Sequence, residues 1–313
     1  MAALVLLPIE ASDAGWLSDV FKRSSKSAEQ PKRVASPKPA ASPRRAAASV
    51  KPAAAPVRHT AKPAVLRAVA QKPSAAKPVV TRCEPHKFRI VLDVGHTAES
   101  EGAISARNRA EFVYNLHLAR RIAERLKGEG FAETRLLVTE GKAKRSLVRR
   151  VNVANNLPAN LFLSIHHDSV PDKMLENWEY DGRKGHFSDR FSGYSVFVSR
   201  NNPDFNTSLA FAELLAGEMK AHGQDYARQY TLPIMGQNQH PLLNKETGVY
   251  SYDKLIVLKS TRMPAVLLEA GSIINRNEEL KMDSPEYRRI VSSGVTAAVR
   301  EFCDSRWAIL GPL

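Results

Sequence analysis

From residue 88 onward, short apolar runs alternate with longer segments in which apolar residues recur every three or four positions. Six of the runs predict strands: FRIVLDV (88–94), TRLLVTE (134–140), LFLSIHH (161–167), YSVFVS (194–199), KLIVLK (254–259) and PAVLLEA (264–270). Apolar runs without regularly alternating polar positions are typical of strands that are buried on both faces of a sheet.

Three segments between or after these runs predict amphipathic helices. They are residues 111–126, residues 209–221, and a last helix with Ser284 as its N-cap and Pro285 in its first turn. Their apolar faces consist of Phe112, Leu116, Ala119, Ile122, Ala123 and Leu126; of Leu209, Ala212, Leu215 and Met219; and of Ile290, Val291, Val295, Ala298, Val299 and Phe302. The alternation indicates an α/β fold, a single domain over residues 88–313 with a mostly parallel twisted sheet flanked by helices.

Residues 23–87 have a different composition, with ten of the nineteen prolines, many alanines and very few large apolar residues. Such a segment buries too little apolar surface to offset the entropy of ordering, so we expect a disordered linker. Residues 22–87 hold 16 Lys/Arg and two acids, whereas residues 88–313 hold 30 bases and 27 acids. The linker is therefore a basic spacer or a tether to an anionic surface, and the nearly neutral domain argues against nucleic-acid binding.

Residues 1–22 begin with a short apolar run that is followed by small residues, as in the core and cleavage site of a secretory signal. The basic residues that usually precede such a core are missing. The segment is thus either a truncated export signal, which we favour, or an ordinary apolar N-terminus. No run approaches the ~20 apolar residues that a transmembrane helix needs.

Polar residues with metal-binding or catalytic chemistry follow three of the predicted strands. His96 comes after the first strand, His166, His167 and Asp168 end the third, and Glu269 directly follows the last apolar run. Glu111 opens the first long helix. Because ligands bind beyond the carboxyl ends of parallel strands, we expect these side chains to converge at one edge of the sheet. Imidazole and carboxylate suit zinc, and a hydrolytic zinc site uses three protein ligands plus water.

Each of these residues also has a structural interpretation. His96 can cap the turn after Gly95, and Glu111 can complete a capping box with Asn108. One of His166 and His167 is expected to be structural, because adjacent strand residues point to opposite faces, although this parity does not tell which. Glu269 is the hardest to explain structurally, since burial raises the pKa of a carboxyl group and makes it a useful general base.

Four segments together resemble the zinc-dependent N-acetylmuramoyl-L-alanine amidases, the amidase type 3 family of cell-wall hydrolases. LDVGHT (92–97) resembles the family's Asp-x-Gly-His signature, and GAISARNRAEF (102–112) its Gly-Ala-x-Ser…Glu segment. LVRRVNVANNLPANLFLSIHHDS (147–169) resembles its Arg-x-x-x-Ala-Asn…Ser-Ile-His block, and MPAVLLEAGSIINRNEE (263–279) its Pro-x-x-Leu-x-Glu-x-Gly…Asn segment. Thr97 and Asn108 stand where the family commonly has glycine, and we expect them to alter substrate approach without loss of metal.

The resemblance implies a role for each matched residue. His96, Glu111 and His166 are then the ligands of one zinc ion per chain, and Glu269 is the general base. The reaction implied is hydrolysis of the amide bond between N-acetylmuramic acid and the L-alanine of peptidoglycan stem peptides, for cell-wall remodelling and daughter-cell separation. The residues expected to contact the substrate or the ligands are Arg150, His167 and Asp168.

The same resemblance leads us to expect an exported, periplasmic enzyme of a Gram-negative-type envelope. It would act as a monomer on peptidoglycan, with protein activators at the division site and no nucleic-acid partner. One alternative is a zinc carboxypeptidase-like peptidase that uses His96-x-x-Glu99, with Glu99 as second ligand. Another is a non-catalytic envelope-binding module, which predicts a broken site, whereas all four key positions are filled here.

The two cysteines and two long loops lead to further structural expectations. A helix covering a parallel sheet returns to the edge where the strands begin, so Cys83 and Cys303 are expected to meet there, either as a disulfide that suits an oxidising compartment or as two free thiols. The loops 171–193 and 223–253 are long and are expected to lie over the active-site edge, with or without forming an inhibitory lid. Their aromatic residues are expected either to stack on sugar or peptide or to pack the loops: Trp178, Tyr180, Tyr250 and Tyr252.

Overall fold

The computed structural model describes residues 83–310, with side chains through residue 304. The predicted export signal and nearly all of the predicted linker lie outside the described residues. Residues 83–87, at the end of the predicted linker, include a 3-10 turn over Pro85–Lys87. Among the helices of the described part, none combines the length and apolar composition that crossing a membrane requires.

Seven strands form one sheet, and the predicted mostly parallel arrangement is confirmed. The strands are β1 (Ile90–Val94), β2 (Thr134–Leu137), β3 (Leu161–Asp168), β6 (Ser195–Val198), β7 (Leu242–Asn244), β8 (Val249–Ser251) and β9 (Ala265–Ser272). Their order is β2-β1-β3-β9-β6-β8-β7. The first four in this order run parallel, β6 pairs antiparallel with β9, β8 is parallel to β6, and β7 is antiparallel to β8.

Helices cover both faces of the sheet. The long helices α1 (Glu111–Gly128), α3 (Phe205–Ala221) and α6 (Pro285–Leu310) pack on one face, over strand residues such as Leu92, Leu163 and Leu268. The shorter helices α2 (Ala143–Asn155) and α4 (Ile256–Lys259) lie on the other face, over Val91, Phe162 and Leu267. Consecutive strand residues thus enter two different cores, which is why the strands read as uninterrupted apolar runs.

The strand prediction for residues 254–259 is wrong, because this segment contains α4, a single helical turn. Val257 and Leu258 of this turn are buried, so the run is apolar for the same reason as a strand. A short apolar run does not distinguish a buried strand from a buried helical turn. The short helices α2 and α5 (Arg276–Met282) were not predicted from the pattern.

The two segments expected to be long loops contain regular structure. Residues 171–193 hold a hairpin of two antiparallel strands, β4 (Glu176–Tyr180) and β5 (Arg183–Phe187). Residues 223–253 hold two 3-10 helices, Gln229–Thr231 and Pro233–Asn238, followed by β7 and β8. β7 and β8 have three residues each, which is too short for a period-two pattern to appear in the sequence.

A disulfide joins Cys83 to Cys303, which are 220 positions apart in the chain. The backbone N–H of Cys83 also donates to the Asp304 carboxylate at 2.8 Å. The bond lies at the edge where β1 begins, since Phe88, just before that strand, packs edge-on against Phe302 of α6. This edge is opposite the carboxyl ends of β1, β3 and β9.

Candidate metal centre

The first corner of the site is the turn that follows β1. The N–H of Gly95 donates to the carbonyl of Ile165 at 3.0 Å, which extends the pairing with β3 by one residue. His96 then adopts a left-handed backbone conformation with φ of 66°, which turns its imidazole back toward the sheet edge. Such a conformation is uncommon for a residue other than glycine and has to be held by its surroundings. The buried guanidinium of Arg150 provides this support by donating to the His96 carbonyl.

Three side chains meet beside this turn and form the candidate metal centre: His96, Glu111 and His166. The Glu111 carboxylate lies 2.9 Å from His96 Nε2 through one oxygen and 2.9 Å from His166 Nδ1 through the other. One ligand atom from each residue lies within 4.8 Å of the other two. All three side chains are largely withdrawn from solvent, with 7%, 4% and 13% of their side-chain surfaces exposed. Residues from the turn after β1, from α1 and from β3 thus converge on one point.

The pKa shifts of Glu111 and His166 favour the forms of these side chains that bind a divalent cation. Burial alone would raise the pKa of Glu111, but the charges and hydrogen bonds of His96 and His166 outweigh it and hold that pKa well below its ordinary value. Burial lowers the pKa of His166, although the Glu111 carboxylate partly offsets this effect. A carboxylate and a neutral imidazole are the forms in which these side chains bind metal. Two imidazoles and one carboxylate are a donor set that zinc favours.

Two glycines give the rings and the carboxylate the space they occupy. A Cβ atom at Gly95 would lie 2.5 Å from Nε2 of His166. At Gly102, whose φ is +82°, a Cβ atom would lie 2.4 Å from Oε2 of Glu111. Any larger residue at either position would displace a side chain of the cluster. The fit of the backbone around the three donor groups is therefore close, and it supports their assignment as a metal-binding set.

Glu269 lies on β9, paired in register with His166 on β3. Its carboxyl group is buried, and its Oε2 atom accepts no hydrogen bond within the described part of the chain. Burial, together with the negative charges of Asp168 and Glu111, raises the pKa of Glu269 well above its ordinary value. A buried carboxyl oxygen that accepts no hydrogen bond from the described residues is costly for stability, which disfavours a purely structural role for Glu269.

His166 and His167 point to opposite faces of the sheet, as their adjacency in a strand requires. The His167 ring faces α1, where its Nδ1 lies 2.8 Å from Asn115 Oδ1 and its plane packs near Tyr114. Asn115 in turn donates to the Glu111 carboxylate at 3.0 Å. The structure therefore brings His166 into the cluster and sets His167 behind it, as part of the packing that holds Glu111.

Asp168 connects the end of β3 to the segment that crosses above it. Its two carboxylate oxygens accept from the Tyr230 hydroxyl at 2.7 Å and from the Gln229 amide at 3.0 Å. Burial raises the pKa of Asp168 to about 7. Its side chain is engaged with this segment and is not part of the metal cluster, so it anchors one wall of the site.

Arg150 is almost fully buried and sits behind the turn that carries His96. Its Nε donates to Thr139 Oγ1 at 3.0 Å, and its Nη1 lies 3.5 Å from the Asp93 carboxylate. Asp93, inside β1, also accepts from the Ser164 hydroxyl at 2.7 Å. Sequence reasoning missed Thr139 and Asn115. It included Asp93 in the Asp-x-Gly-His signature but assigned it no role.

The structure supports neither the capping-box interpretation of Glu111 nor the use of Glu99 as a metal ligand. The N-cap of α1 is Ala110, with no side-chain cap, so Asn108 and Glu111 do not form a capping box. Glu99, the second ligand of the carboxypeptidase-like alternative, lies outside the cluster and accepts the backbone N–H of Gly141 at 3.0 Å. Thr97 bonds the carbonyl of the same Gly141 at 2.8 Å. Both residues thus fix the loop before α2.

A cleft that is open to solvent lies beside the cluster and Glu269. It lies over the face of the sheet that carries α2 and α4. Its remaining walls come from α2, from the segment before and within α4, and from a group of aromatic rings. Of the aromatic residues expected to face a ligand, Tyr252 lines this cleft, whereas Tyr250 is buried and Trp178 packs on the loop before α1 through a bond to the Ala106 carbonyl.

Several known proteins with similar sequence or structure are described as amidases. A putative N-acetylmuramoyl-L-alanine amidase of Buchnera aphidicola subsp. Baizongia pistaciae is 23% identical over 224 residues, 68% of this chain and 95% of the relative. The solved catalytic domain of CwlV, an N-acetylmuramoyl-L-alanine amidase from Bacillus (Paenibacillus) polymyxa var. colistinus, is 26% identical, with a TM-score of 0.50 over 69% of this chain and 98% of that one. The CwlD amidase from Clostridioides difficile, solved in complex with the GerS lipoprotein, is 18% identical, with a TM-score of 0.50 over 69% and 98% of the two chains.

The family comparison covers the whole sheet and the candidate metal centre. The sequence model of the N-acetylmuramoyl-L-alanine amidases (Amidase_3) matches residues 90–301, which is more than half of the chain. The matched range includes the three clustered side chains and Glu269. The fold, the position of the site at the strand ends and this match agree with one another. The chain belongs to the family of N-acetylmuramoyl-L-alanine amidases.

Proposed function

We propose that this chain binds one zinc ion through His96, Glu111 and His166 and hydrolyses the amide bond between N-acetylmuramic acid and the L-alanine of peptidoglycan stem peptides. Glu269 is the general base in this proposal. The observation that carries it is the buried Glu269 carboxyl, which has an oxygen without a hydrogen-bond partner in the described part of the chain and lines the same cleft as the two imidazoles. A zinc ion held there supplies Lewis acidity, which polarises the scissile carbonyl and lowers the pKa of a water molecule.

The residues of the chain then have distinct tasks. Glu269 takes a proton from the attacking water and passes it to the departing amine of L-alanine. Burial raises the pKa of the Glu269 carboxyl above its ordinary value, which makes it a stronger base toward the water proton. Arg150 and Asn115 position the ligands by holding the His96 carbonyl and the Glu111 carboxylate, and neither needs to touch the substrate.

The biological setting is also a proposal. Residues 1–22 would direct export, residues 23–87 would be the linker, and residues 88–313 would be the catalytic domain of a periplasmic enzyme that acts in cell division. The Cys83–Cys303 disulfide supports an oxidising compartment. A monomer suffices for activity, because all four site residues come from one chain. A protein activator fits this setting, as the similarly folded CwlD was solved with a lipoprotein partner.

The experiment combines zinc content with activity on purified, dye-labelled peptidoglycan. We expect Glu269→Ala to retain one zinc per chain and to lose dye release, whereas His96→Ala and His166→Ala lose both. Glu99→Ala is the matched control, because this carboxylate lies near the site but outside the cluster, and it should keep both properties. A Glu269→Ala protein that still releases dye would contradict the assignment of the base.

A further inference from the structure

The wall of the cleft away from the metal cluster consists of four packed aromatic rings, which we call the aromatic wall: Phe197, Tyr230, His240 and Tyr252. The His240 ring lies 4.2 Å from the Tyr252 ring and 5.3 Å from both Phe197 and Tyr230, measured between centroids. Phe197 and Tyr230 pack edge-on at 5.0 Å. All four rings line the cleft that also contains Glu269.

The aromatic wall is held rigidly. The Tyr230 hydroxyl is fixed by Asp168, and the backbone N–H of His240 donates to the Tyr230 carbonyl at 3.0 Å. The backbone N–H of Tyr252 donates to the carbonyl of Val198 on β6 at 2.7 Å. Phe197 and Tyr230 are buried and form the floor, whereas His240 and Tyr252 are half-buried. A surface with fixed rings binds a flat ligand at little entropic cost.

This part of the cleft carries no formal charge among its described residues. Burial lowers the pKa of His240 to about 4, so its ring is neutral near pH 7. The other neighbours at this end are aliphatic: Leu255, Val257 and Leu267. The ionisable side chains that line the cleft, apart from the histidines and tyrosines, are Arg150 and Glu269, and both lie beside the metal cluster. A ligand group that binds against the aromatic wall must therefore be uncharged and offer an apolar face.

The groups on the two sides of the scissile bond differ in charge and in apolar surface. On the acyl side lies the N-acetylmuramic acid ring, which is uncharged and exposes C–H groups that stack on aromatic faces. On the amine side lies the stem peptide, whose free carboxylates would lose hydration here without a cation to pair with. We propose that the aromatic wall is the subsite for the N-acetylmuramic acid ring, with His240 and Tyr252 as the stacking residues that select glycan-linked peptides. This inference rests on the proposed function.

The test compares two small substrates. One is N-acetylmuramoyl-L-alanyl-D-isoglutamine, and the other is lactoyl-L-alanyl-D-isoglutamine, which has the same scissile amide but no sugar. We expect Tyr252→Leu and His240→Ala to raise KM about tenfold for the sugar-linked substrate and to leave the sugar-free one within about twofold, as expected when a binding contact outside the reacting atoms is lost. Tyr252→Phe should retain the wild-type KM, because stacking needs the ring and not the hydroxyl.

The control is Tyr180→Ala, which removes another partly exposed aromatic ring that does not line the cleft. It should leave both substrates unaffected. Equal losses on the two substrates, or an unchanged KM in Tyr252→Leu, would overturn the inference. Calorimetric titration with a peptide-free N-acetylglucosaminyl–N-acetylmuramic acid disaccharide tests the subsite without turnover, and Tyr252→Leu should weaken its binding. A wild-type protein that binds the disaccharide yet cleaves neither substrate would contradict the proposed function and not the subsite.

Discussion

Replacing Arg150 with methionine tests how the site is held together. The guanidinium bonds Thr139 and the His96 carbonyl and pairs with the Asp93 carboxylate, all in the buried layer beneath the metal cluster. Methionine fills much of the same space but bonds none of these groups. The Asp93 carboxylate then remains buried with the Ser164 hydroxyl as its principal partner, and the turn that carries His96 loses its support.

The cost of this change has two bounds. Removing one member of a buried ion pair typically costs ~3–5 kcal/mol. The Asp93 carboxyl can instead take up a proton, and doing so at pH 7 from its ordinary pKa of 3.8 costs about 4.5 kcal/mol at most, at ~1.4 kcal/mol per pH unit. Burial already raises the pKa of Asp93 in the native protein, so part of that cost is present there. We therefore expect a loss of about 3 kcal/mol in the free energy of unfolding.

The assay is urea unfolding of the metal-free protein at pH 7, with zinc affinity measured by competition against a chromophoric chelator. Because Arg150 holds the backbone of a ligand, zinc affinity should fall by roughly 10- to 100-fold. Arg149→Met is the matched control, since Arg149 is exposed one position earlier in α2 and should change stability by less than about 0.5 kcal/mol.

A double variant separates the two causes. Adding Asp93→Asn to Arg150→Met removes the stranded carboxylate and should restore at least about 1 kcal/mol of stability, while zinc affinity stays low because the His96 turn is still unsupported. The reasoning would be refuted if Arg150→Met lost less than about 1 kcal/mol and bound zinc as tightly as the wild type.

Three further predictions follow from other contacts. Replacing Cys83 by serine and Cys303 by alanine should lower the free energy of unfolding by about 3–5 kcal/mol in denaturant titrations, because the bond closes a loop of 220 positions. The pKa of His240 is about 4 in the folded protein and 6.5 in the unfolded chain. As the pH falls, the unfolded chain therefore binds a proton first, so the free energy of unfolding should drop by about 2–3 kcal/mol from pH 7 to 4. His240→Phe should remove this contribution to the pH dependence. Gly95→Ala should abolish zinc binding, as measured by metal content, because its Cβ would lie 2.5 Å from the His166 ring.

Each of these has an outcome that would contradict it. Two titratable thiols in the unreduced wild-type protein would exclude the disulfide. A His240→Phe protein with the same loss of stability on acidification as the wild type would show that other groups cause that loss. A Gly95→Ala protein with full zinc content would mean that the backbone shifts enough to admit a methyl group. Gly217→Ala is the matched glycine control, because no atom lies within 4 Å of the added Cβ there.

The main strands and long helices were predictable from the sequence because each has a strong local cause. Strands buried on both faces must be apolar throughout, and α1 and α6 bury one continuous face over many turns. The prediction for α4 was wrong because its buried turn has the composition of a strand. β7 and β8 are recognisable only from their pairing with other strands, which no local pattern records.

The site also combines residues that a local sequence pattern indicates with contacts that depend on distant parts of the chain. His96, His166 and Glu269 stand out because polar residues follow apolar runs. Arg150 was expected near the ligands from the family resemblance, but its particular partner, the His96 carbonyl 54 positions away, carries no signal in the sequence. The aromatic wall likewise depends on a segment that folds back onto β3, where Tyr230 meets Asp168 across 62 positions. The long loops indicated aromatic residues near the site, but the sequence did not distinguish Tyr252, which lines the cleft, from Tyr250, which is buried.

The bond that is cleaved tests the central claim most directly. Purified peptidoglycan would be digested with the zinc-loaded protein, with Glu269→Ala as the inactive control, and the soluble products analysed by mass spectrometry. We predict intact stem peptides that begin with a free L-alanine amine, together with glycan strands that carry no peptide. Peptides shortened at any bond within the stem, or glycan fragments that still carry their peptides, would contradict the proposed amidase reaction.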